Sequence, residues 1–92
     1  MNIHDAIAKH PNLLNNYRRA ALCFVLAGDM ADRGEYGFRR DEYILNCGHY
    51  IGKAQGWLHR HYGVAIDGYP FVIDLADRMR KYGGDVSAAG LK

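Results

Sequence analysis

The chain has 92 residues, of which 49% are hydrophobic and 24% are charged, with two cysteines and a formal net charge of +2. This composition excludes a disordered chain, and two cysteines are too few for a disulfide scaffold or a cysteine-only zinc site. The longest apolar run, residues 20–27, falls far short of the roughly 18 residues that cross a bilayer, and the N-terminus lacks a signal-peptide pattern, so we expect one cytoplasmic domain over residues 1–92.

The first half of the chain predicts a short helix followed by a long one. Apolar residues spaced three and four apart within residues 3–10 indicate a helix that ends near His10. The clearest periodicity covers residues 12–28, where Pro11 suits the start of the helix and Gly28 suits its end. Its second half is apolar all round, which predicts the central buried helix. The residues expected to face the core are Leu13, Leu14, Tyr17, Ala20, Ala21, Phe24, Val25 and Gly28.

The second half of the chain predicts two more helices after a connecting loop. Residues 28–41 combine glycine with many charges, which is typical of a loop. Asp41 is the expected N-cap of a helix over residues 42–62 that Gly63 ends, and a last helix is expected over residues 70–82. The residues expected to face the core are Tyr43, Cys47, Tyr50, Ile51, Ala54, Trp57, Leu58 and His61 in the first of these helices, and Phe71, Val72, Leu75, Met79 and Tyr82 in the second.

These elements predict an all-α, single-domain helical bundle, made of a short N-terminal helix and three longer ones, with a fraying tail over residues 85–92. The alternative is a β-hairpin over residues 57–66. Before Gly63, Trp57, His59 and His61 alternate with Leu58, Arg60 and Tyr62, as side chains on the two faces of a strand do. On a strand His59 and His61 would share a face and offer a pair of metal ligands, whereas on a helix they diverge. We prefer the helix, and we therefore expect the protein to hold no metal and no other cofactor.

Three glycines, Gly48, Gly52 and Gly56, lie four residues apart inside the predicted third helix. Each costs a helix about 1 kcal/mol relative to alanine, so this glycine stripe calls for a compensating reason. Because glycine has no Cβ, the stripe permits close approach by the helix over residues 12–28, by a partner helix or nucleic-acid backbone, or by a second copy in a homodimer. The remaining alternative is that the glycines prevent a continuous helix.

Cations and aromatic residues indicate where a partner would bind. No acid lies between Asp5 and Asp29 or between Glu42 and Asp67, so two helices carry only basic charges, and side by side they would form a positive patch. Exposed aromatic residues beside arginines on a glycine-flanked loop are the best candidate contact site. The candidate partner-binding residues are Tyr36, Phe38, Arg39 and Arg40 in that loop and Arg18, Arg19, Lys53 and Arg60 on the helices.

The sequence contains no catalytic constellation or phosphate-cradling glycine loop, so we expect a non-enzymatic binding protein. The preferred hypothesis is an inhibitor or adaptor that docks on a protein or ribonucleoprotein complex through a basic, aromatic-bearing surface. The alternatives are a nucleic-acid-binding protein whose Arg and Lys contact phosphates, and a homodimer packed through the glycine stripe. Cys23 and Cys47 are expected to be reduced, since nothing besides adjacent helices favours a disulfide.

In its small size, single-domain build and lack of catalytic motifs, the chain resembles phage-encoded anti-defence proteins such as anti-CRISPR inhibitors. The resemblance covers the general character of the whole chain and involves no motif, so it assigns no role to any residue. It implies a protein that acts in the cytoplasm of the phage host, binds a CRISPR surveillance complex and blocks the access of target DNA.

Overall fold

The computed structural model describes residues 1–82, and these form four α-helices and no β-strand. The expected all-α architecture of one short helix and three longer ones is therefore confirmed for the described residues. The tail predicted over residues 85–92 lies outside them. The helices are α1 (Ile3–Lys9), α2 (Asn12–Asp32), α3 (Phe38–Tyr62) and α4 (Tyr69–Lys81).

The central element is α2, which contacts each of the other three helices. α3 returns antiparallel to it, so that the end of α3 lies beside the α1–α2 junction, where a hydrogen bond joins Nε2 of His10 to the hydroxyl of Tyr62. α4 packs on another side of α2. The α2–α3 pair therefore has two ends: one holds the α1–α2 junction, and the other holds the connection over residues 33–37.

Buried residues from all four helices form one hydrophobic core. Tyr17 lies at its centre, fully buried, with its ring edge-on to Phe71. Most residues expected to face inward do so, but Phe24, His61 and Tyr82 are exposed. The core residues are Ala6, Leu13, Tyr17, Ala20, Ala21, Val25, Cys47, Ile51, Ala54, Leu58, Val72, Leu75, Ala76 and Met79.

The second half of α2 is not buried all round as predicted. Leu22 and Phe24, which are two positions apart and therefore point to nearly opposite sides of the helix, are both exposed. The guanidinium of Arg80 lies 5.6 Å from the centre of the Phe24 ring and partly covers it. The ring of Phe24 therefore contacts an arginine of α4.

The predicted end of the second helix at Gly28 is wrong, since α2 continues to Asp32. A Cβ at Gly28 would approach the guanidinium of Arg80, the flexible end of an exposed side chain. The helix ends one turn later at Gly34, whose φ of 74° is the left-handed conformation that glycine adopts without a steric penalty. Its N–H donates to the carbonyl of Ala31, and the N–H of Glu35 donates to that of Met30. These two bonds form a Schellman motif.

The predicted loop over residues 28–41 is mostly helical, and the connection shortens to residues 33–37. α3 begins at Phe38, four residues before its predicted start, and Gly37 occupies the N-cap position. Asp41 is therefore not the cap. It lies in the first turn, where its negative charge faces the positive end of the helix dipole.

The alternative β-hairpin over residues 57–66 is wrong, and with it the metal pair of His59 and His61. α3 runs unbroken to Tyr62 and ends at Gly63 in the left-handed conformation, as predicted. The alternation over residues 57–62 that resembled a strand lies in the last turns of α3, and in the linker that follows Val64 and Ile66 pack against the core. The side-chain amide of Gln55 donates to the carbonyl of Ile66 at 2.9 Å and holds this linker on α3.

Candidate functional site

A groove of about 920 Å³ lies where the α1–α2 junction meets the second half of α3. We name it the basic groove. One wall comes from the end of α1, the junction and the first turns of α2. The other wall is one face of α3. The lining residues of the first wall are Lys9, His10, Pro11, Asn12, Leu13 and Asn16, and those of the second are His49, Gly52, Lys53, Trp57 and Arg60.

The wall formed by α3 follows from helical spacing. Successive lining residues from His49 to Arg60 are one, three or four positions apart, which places their side chains along one face of the helix. The neighbouring face carries Ile51 and Leu58 and is buried in the core. Two adjacent faces of the same helix therefore hold the core and the groove, and Trp57 lies on the border between them as a half-buried residue.

The charges that line the groove all have the same sign. Lys9, Lys53 and Arg60 are exposed cations, and no described residue of the lining is a carboxylate. The start of α2 adds to this field, because Asn12 and Leu13 belong to its first turn, which contains no acidic residue and has no side-chain cap. The N-terminus of a helix carries a partial positive charge, and here the N–H groups of Leu13 and Leu14 donate to the carbonyls of His10 and Pro11. The groove is thus suited to an anion.

Packed rings fix the border of the groove at the end of α3. The imidazole of His61 stacks on the indole of Trp57, with ring centres 4.5 Å apart and planes 13° apart. His10 packs edge-on against the same indole at 4.7 Å and is hydrogen-bonded to Tyr62. This aromatic cluster of His10, Trp57, His61 and Tyr62 connects the two walls and holds the indole in place.

The glycine stripe lies inside the continuous helix α3 but does not pack against α2. A Cβ at Gly52 would have no atom within 4 Å, and Gly52 forms part of the groove floor. A Cβ at Gly56 would lie 3.2 Å from Nη1 of Arg60, and one at Gly48 would lie 3.5 Å from the hydroxyl of Tyr69. α2 and α3 pack against each other, but the prediction that they meet at the glycine stripe is wrong, because α3 presents Cys47, Ile51 and Ala54 to the core instead.

The aromatic residues and arginines predicted on a loop lie at the other end of the α2–α3 pair. We name Tyr36, Phe38, Arg39 and Arg40 the turn patch. Phe38 is 84% exposed and Tyr36 is 69% exposed. The guanidinium of Arg40 lies 5.2 Å from the centre of the Tyr36 ring and forms an ion pair with Asp41 at 2.8 Å. The residues from Phe38 onward are helical, which corrects the loop assignment.

Acidic side chains surround the turn patch. Arg39 borders a shallow depression of about 290 Å³ that also includes Asp29, Arg33 and Glu35. Arg33 forms an ion pair with Glu35 at 3.2 Å. Arginines in this region thus have carboxylates as near neighbours, which weakens their attraction for a further anion.

The remaining predicted contact residues lie between the two ends. Arg19 is exposed on α2, and its guanidinium lies 5.9 Å from the centre of the Tyr50 ring on α3. Arg18 is half-buried. Of the eight predicted contact residues, the structure places Lys53 and Arg60 in the basic groove and four others in the turn patch.

The cysteines of the α2–α3 pair are free thiols. Burial raises the pKa of Cys47, and the neighbouring Cys23 raises it further. Burial also raises the pKa of Cys23. Because the thiolate is the reactive form, a raised pKa keeps both thiols protonated and makes them less reactive.

Several groove residues carry no individual signal in the sequence. Lys9 is one of several cations in the first acid-free stretch, and Trp57 fits the core period of α3, so the sequence marks neither as a contact. His10 lies in the α1–α2 junction and Asn12 and Asn16 lie in the first turns of α2, where no pattern marks them. The distribution of charges along the sequence is the pattern that indicates the groove, because the fold brings the two acid-free stretches together.

Comparison with protein-family models, with curated proteins and with solved structures finds no match to this chain. None of the four helices within residues 1–82 combines the length and the apolarity that crossing a bilayer requires. Within the same residues, no three His, Cys, Asp or Glu side chains lie close enough together to hold a metal ion.

Proposed function

We propose that this protein acts by binding rather than by catalysis, and that its basic groove binds the phosphate backbone of a nucleic acid. The observation that carries the proposal is the one-sided charge of the groove, whose described lining includes Lys9, Lys53 and Arg60 and no carboxylate. Phosphodiesters attract such a surface strongly, because binding releases their condensed counterions.

The form of the site supports a strand rather than a free ion. A volume of about 920 Å³ is near the upper end of the range for small-molecule sites, so it accommodates a ligand of about one or two nucleotides. The groove is open, and its cations come from α1 and from two turns of α3. A chain of phosphates can therefore contact several of these cations in succession.

A salt titration tests this proposal. The affinity of the protein for a fluorescently labelled oligonucleotide is measured by anisotropy from 20 mM to 200 mM NaCl. If three cations contact phosphates of a single strand, the slope of log K against log salt is about −2. No binding at 20 mM NaCl, or an affinity that does not change with salt, would refute the proposal.

A second candidate function rests on the turn patch. We propose that the protein alternatively docks on a protein or ribonucleoprotein complex as an inhibitor, as its resemblance to anti-CRISPR proteins implies. The supporting observation is the exposure of Phe38 and Tyr36 beside the paired charges of Arg40 and Asp41. Exposed aromatic residues with arginine next to them are typical hot spots of protein interfaces.

The inhibitor hypothesis is tested with a guide-RNA surveillance complex and its target DNA. The purified protein is expected to reduce the amount of target DNA that the complex retains. The double variant Tyr36→Ala, Phe38→Ala is expected to lose this effect, while Lys53→Ala retains it. Retention of the DNA unchanged by the wild-type protein would reject the hypothesis.

A further inference from the structure

We infer that the basic groove selects single-stranded nucleic acid by stacking one unpaired base on the indole of Trp57. This inference rests on the proposed function, because it names the class of nucleic acid that the same site takes. It adds a distinct claim, namely that a base and not only the phosphate backbone is bound.

The position of Trp57 is the first observation behind the inference. Its indole lines the groove between Gly52 and Arg60 along the same face of α3. It is half-buried, so part of the ring is in contact with solvent. An aromatic ring next to backbone-binding cations is the arrangement with which proteins hold single strands, since every base offers a π-face for stacking.

The second observation is that the indole is held rigidly. His61 stacks against it with the ring planes 13° apart, and His10 packs edge-on against it from the other wall. A base that stacks on a preorganised ring does not have to order the side chain first, so less entropy is lost on binding.

The third observation is the open floor beside the ring. Gly52 has no atom within 4 Å of the position of a Cβ, and Gly56 lets the guanidinium of Arg60 lie close to the helix. The groove floor next to Trp57 thus lacks a side chain at Gly52, and Lys53 and Arg60 are the neighbouring cations of the lining. A flat base fits such a space, and its own phosphate lies within reach of Arg60 or Lys53.

A duplex cannot use the indole in this way. Its bases are already stacked and paired, and turning one out costs a few kcal/mol. A single strand pays much less of this cost, so the stacking energy contributes fully to its affinity. We therefore expect single strands to bind more tightly than duplexes, although a duplex offers more phosphates.

The fluorescence of Trp57, the single tryptophan of the chain, reports directly on this contact. The protein is titrated at low salt with oligothymidine, with an abasic strand of the same length and with a duplex. Oligothymidine is expected to quench the emission and to bind about tenfold more tightly than the abasic strand. The variant Trp57→Leu is expected to lose this difference, measured with labelled strands, while Trp57→Phe and the control Tyr36→Leu retain it.

The outcomes separate this inference from the proposed function. Equal binding of oligothymidine and the abasic strand, without quenching, would overturn the stacking of a base while leaving phosphate binding intact. Stronger binding of the duplex would overturn the selection of single strands. Failure of all three nucleic acids to bind at low salt would refute the proposed function and this inference together.

Discussion

The two ends of the α2–α3 pair carry similar residues in opposite surroundings. The basic groove and the turn patch each combine cations with aromatic rings. In the turn patch, Asp41 pairs with Arg40, and Arg39 lies close to Asp29 and Glu35. Among the described residues of the groove lining, no carboxylate accompanies the cations. Two surfaces with similar cations and aromatic rings can therefore differ in what they bind. The sign of the neighbouring charges decides whether the cations attract an anion.

The largest expected effect comes from reversing charges at one end or at the other. The double variant Lys53→Glu, Arg60→Glu is expected to weaken oligonucleotide binding by about 100-fold or more, because it places two carboxylates in the phosphate path. Anisotropy at 0.1 M NaCl measures this change, because charges outside the groove are then largely screened.

The matched control is Arg39→Glu, Arg40→Glu, which changes the net charge of the protein by the same amount. Arg39 lies about 21 Å along α3 from Lys53, which is about two Debye lengths at 0.1 M salt. We expect this control to change the affinity less than about threefold. An equal loss in both double variants would show that net charge, and not the groove, attracts the nucleic acid.

The next effect comes from filling the floor of the groove. Gly52→Leu adds a side chain where no atom lies within 4 Å of the Cβ position, so the fold accommodates it while the groove becomes smaller. We expect a loss of oligonucleotide affinity of about tenfold, without loss of thermal stability.

Sedimentation of the Gly52→Leu variant tests the homodimer alternative, because leucine would break a dimer interface at the glycine stripe. Wild-type affinity of a folded, monomeric Gly52→Leu would place the ligand elsewhere.

A smaller effect concerns the stability of the protein when alanine replaces Gly52 in the groove or Gly34 in the connection at the other end. Gly52→Ala is expected to stabilise the protein by up to about 1 kcal/mol, because alanine is the better helix former and the site is open. Gly34→Ala is expected to destabilise it by about 1 kcal/mol, because its φ of 74° is unfavourable for a residue with a Cβ. Urea denaturation measures both changes. A stability loss in Gly52→Ala would mean that the floor of the groove is packed and not open.

The smallest effect concerns the α2–α3 interface that connects the two ends. Burial raises the pKa of Cys47 above its ordinary value of 9.0. Above about pH 9 the unfolded chain therefore releases a proton that the folded chain retains, and the free energy of unfolding falls as the pH rises. Between pH 7 and pH 10, Cys47→Ala is expected to lose less stability than the wild-type protein. An equal loss in both proteins would contradict the burial of this thiol.

Much of the helical architecture could be predicted from the sequence, because its origin is local. Apolar residues spaced three and four apart identify the helices, and Gly63 ends α3 as expected. The end of α2 is misplaced because a helix tolerates a single glycine such as Gly28, and the left-handed residue that ends it is Gly34. Gly34 lies in the connection between α2 and α3, within the predicted loop, but its glycine-rich surroundings do not mark it as the residue that ends α2.

The candidate site could be predicted only in part. The charge map identified Lys53 and Arg60, because acid-free stretches are visible in the sequence. The contribution of His10 and Asn12 depends on how the α1–α2 junction meets α3, which is a property of the fold. Trp57 was assigned to the core because its spacing matches the buried face, and only the packing places its ring on the border of the groove.

The central claim is that the basic groove, and not the turn patch, is the nucleic-acid-binding surface. Two-dimensional NMR of ¹⁵N-labelled protein, titrated with a single-stranded oligonucleotide at low salt, tests it residue by residue. We expect chemical-shift changes concentrated in residues 9–16 and 49–61, with residues 33–45 nearly unchanged. Changes centred on Tyr36 and Phe38, or no changes at all, would contradict it.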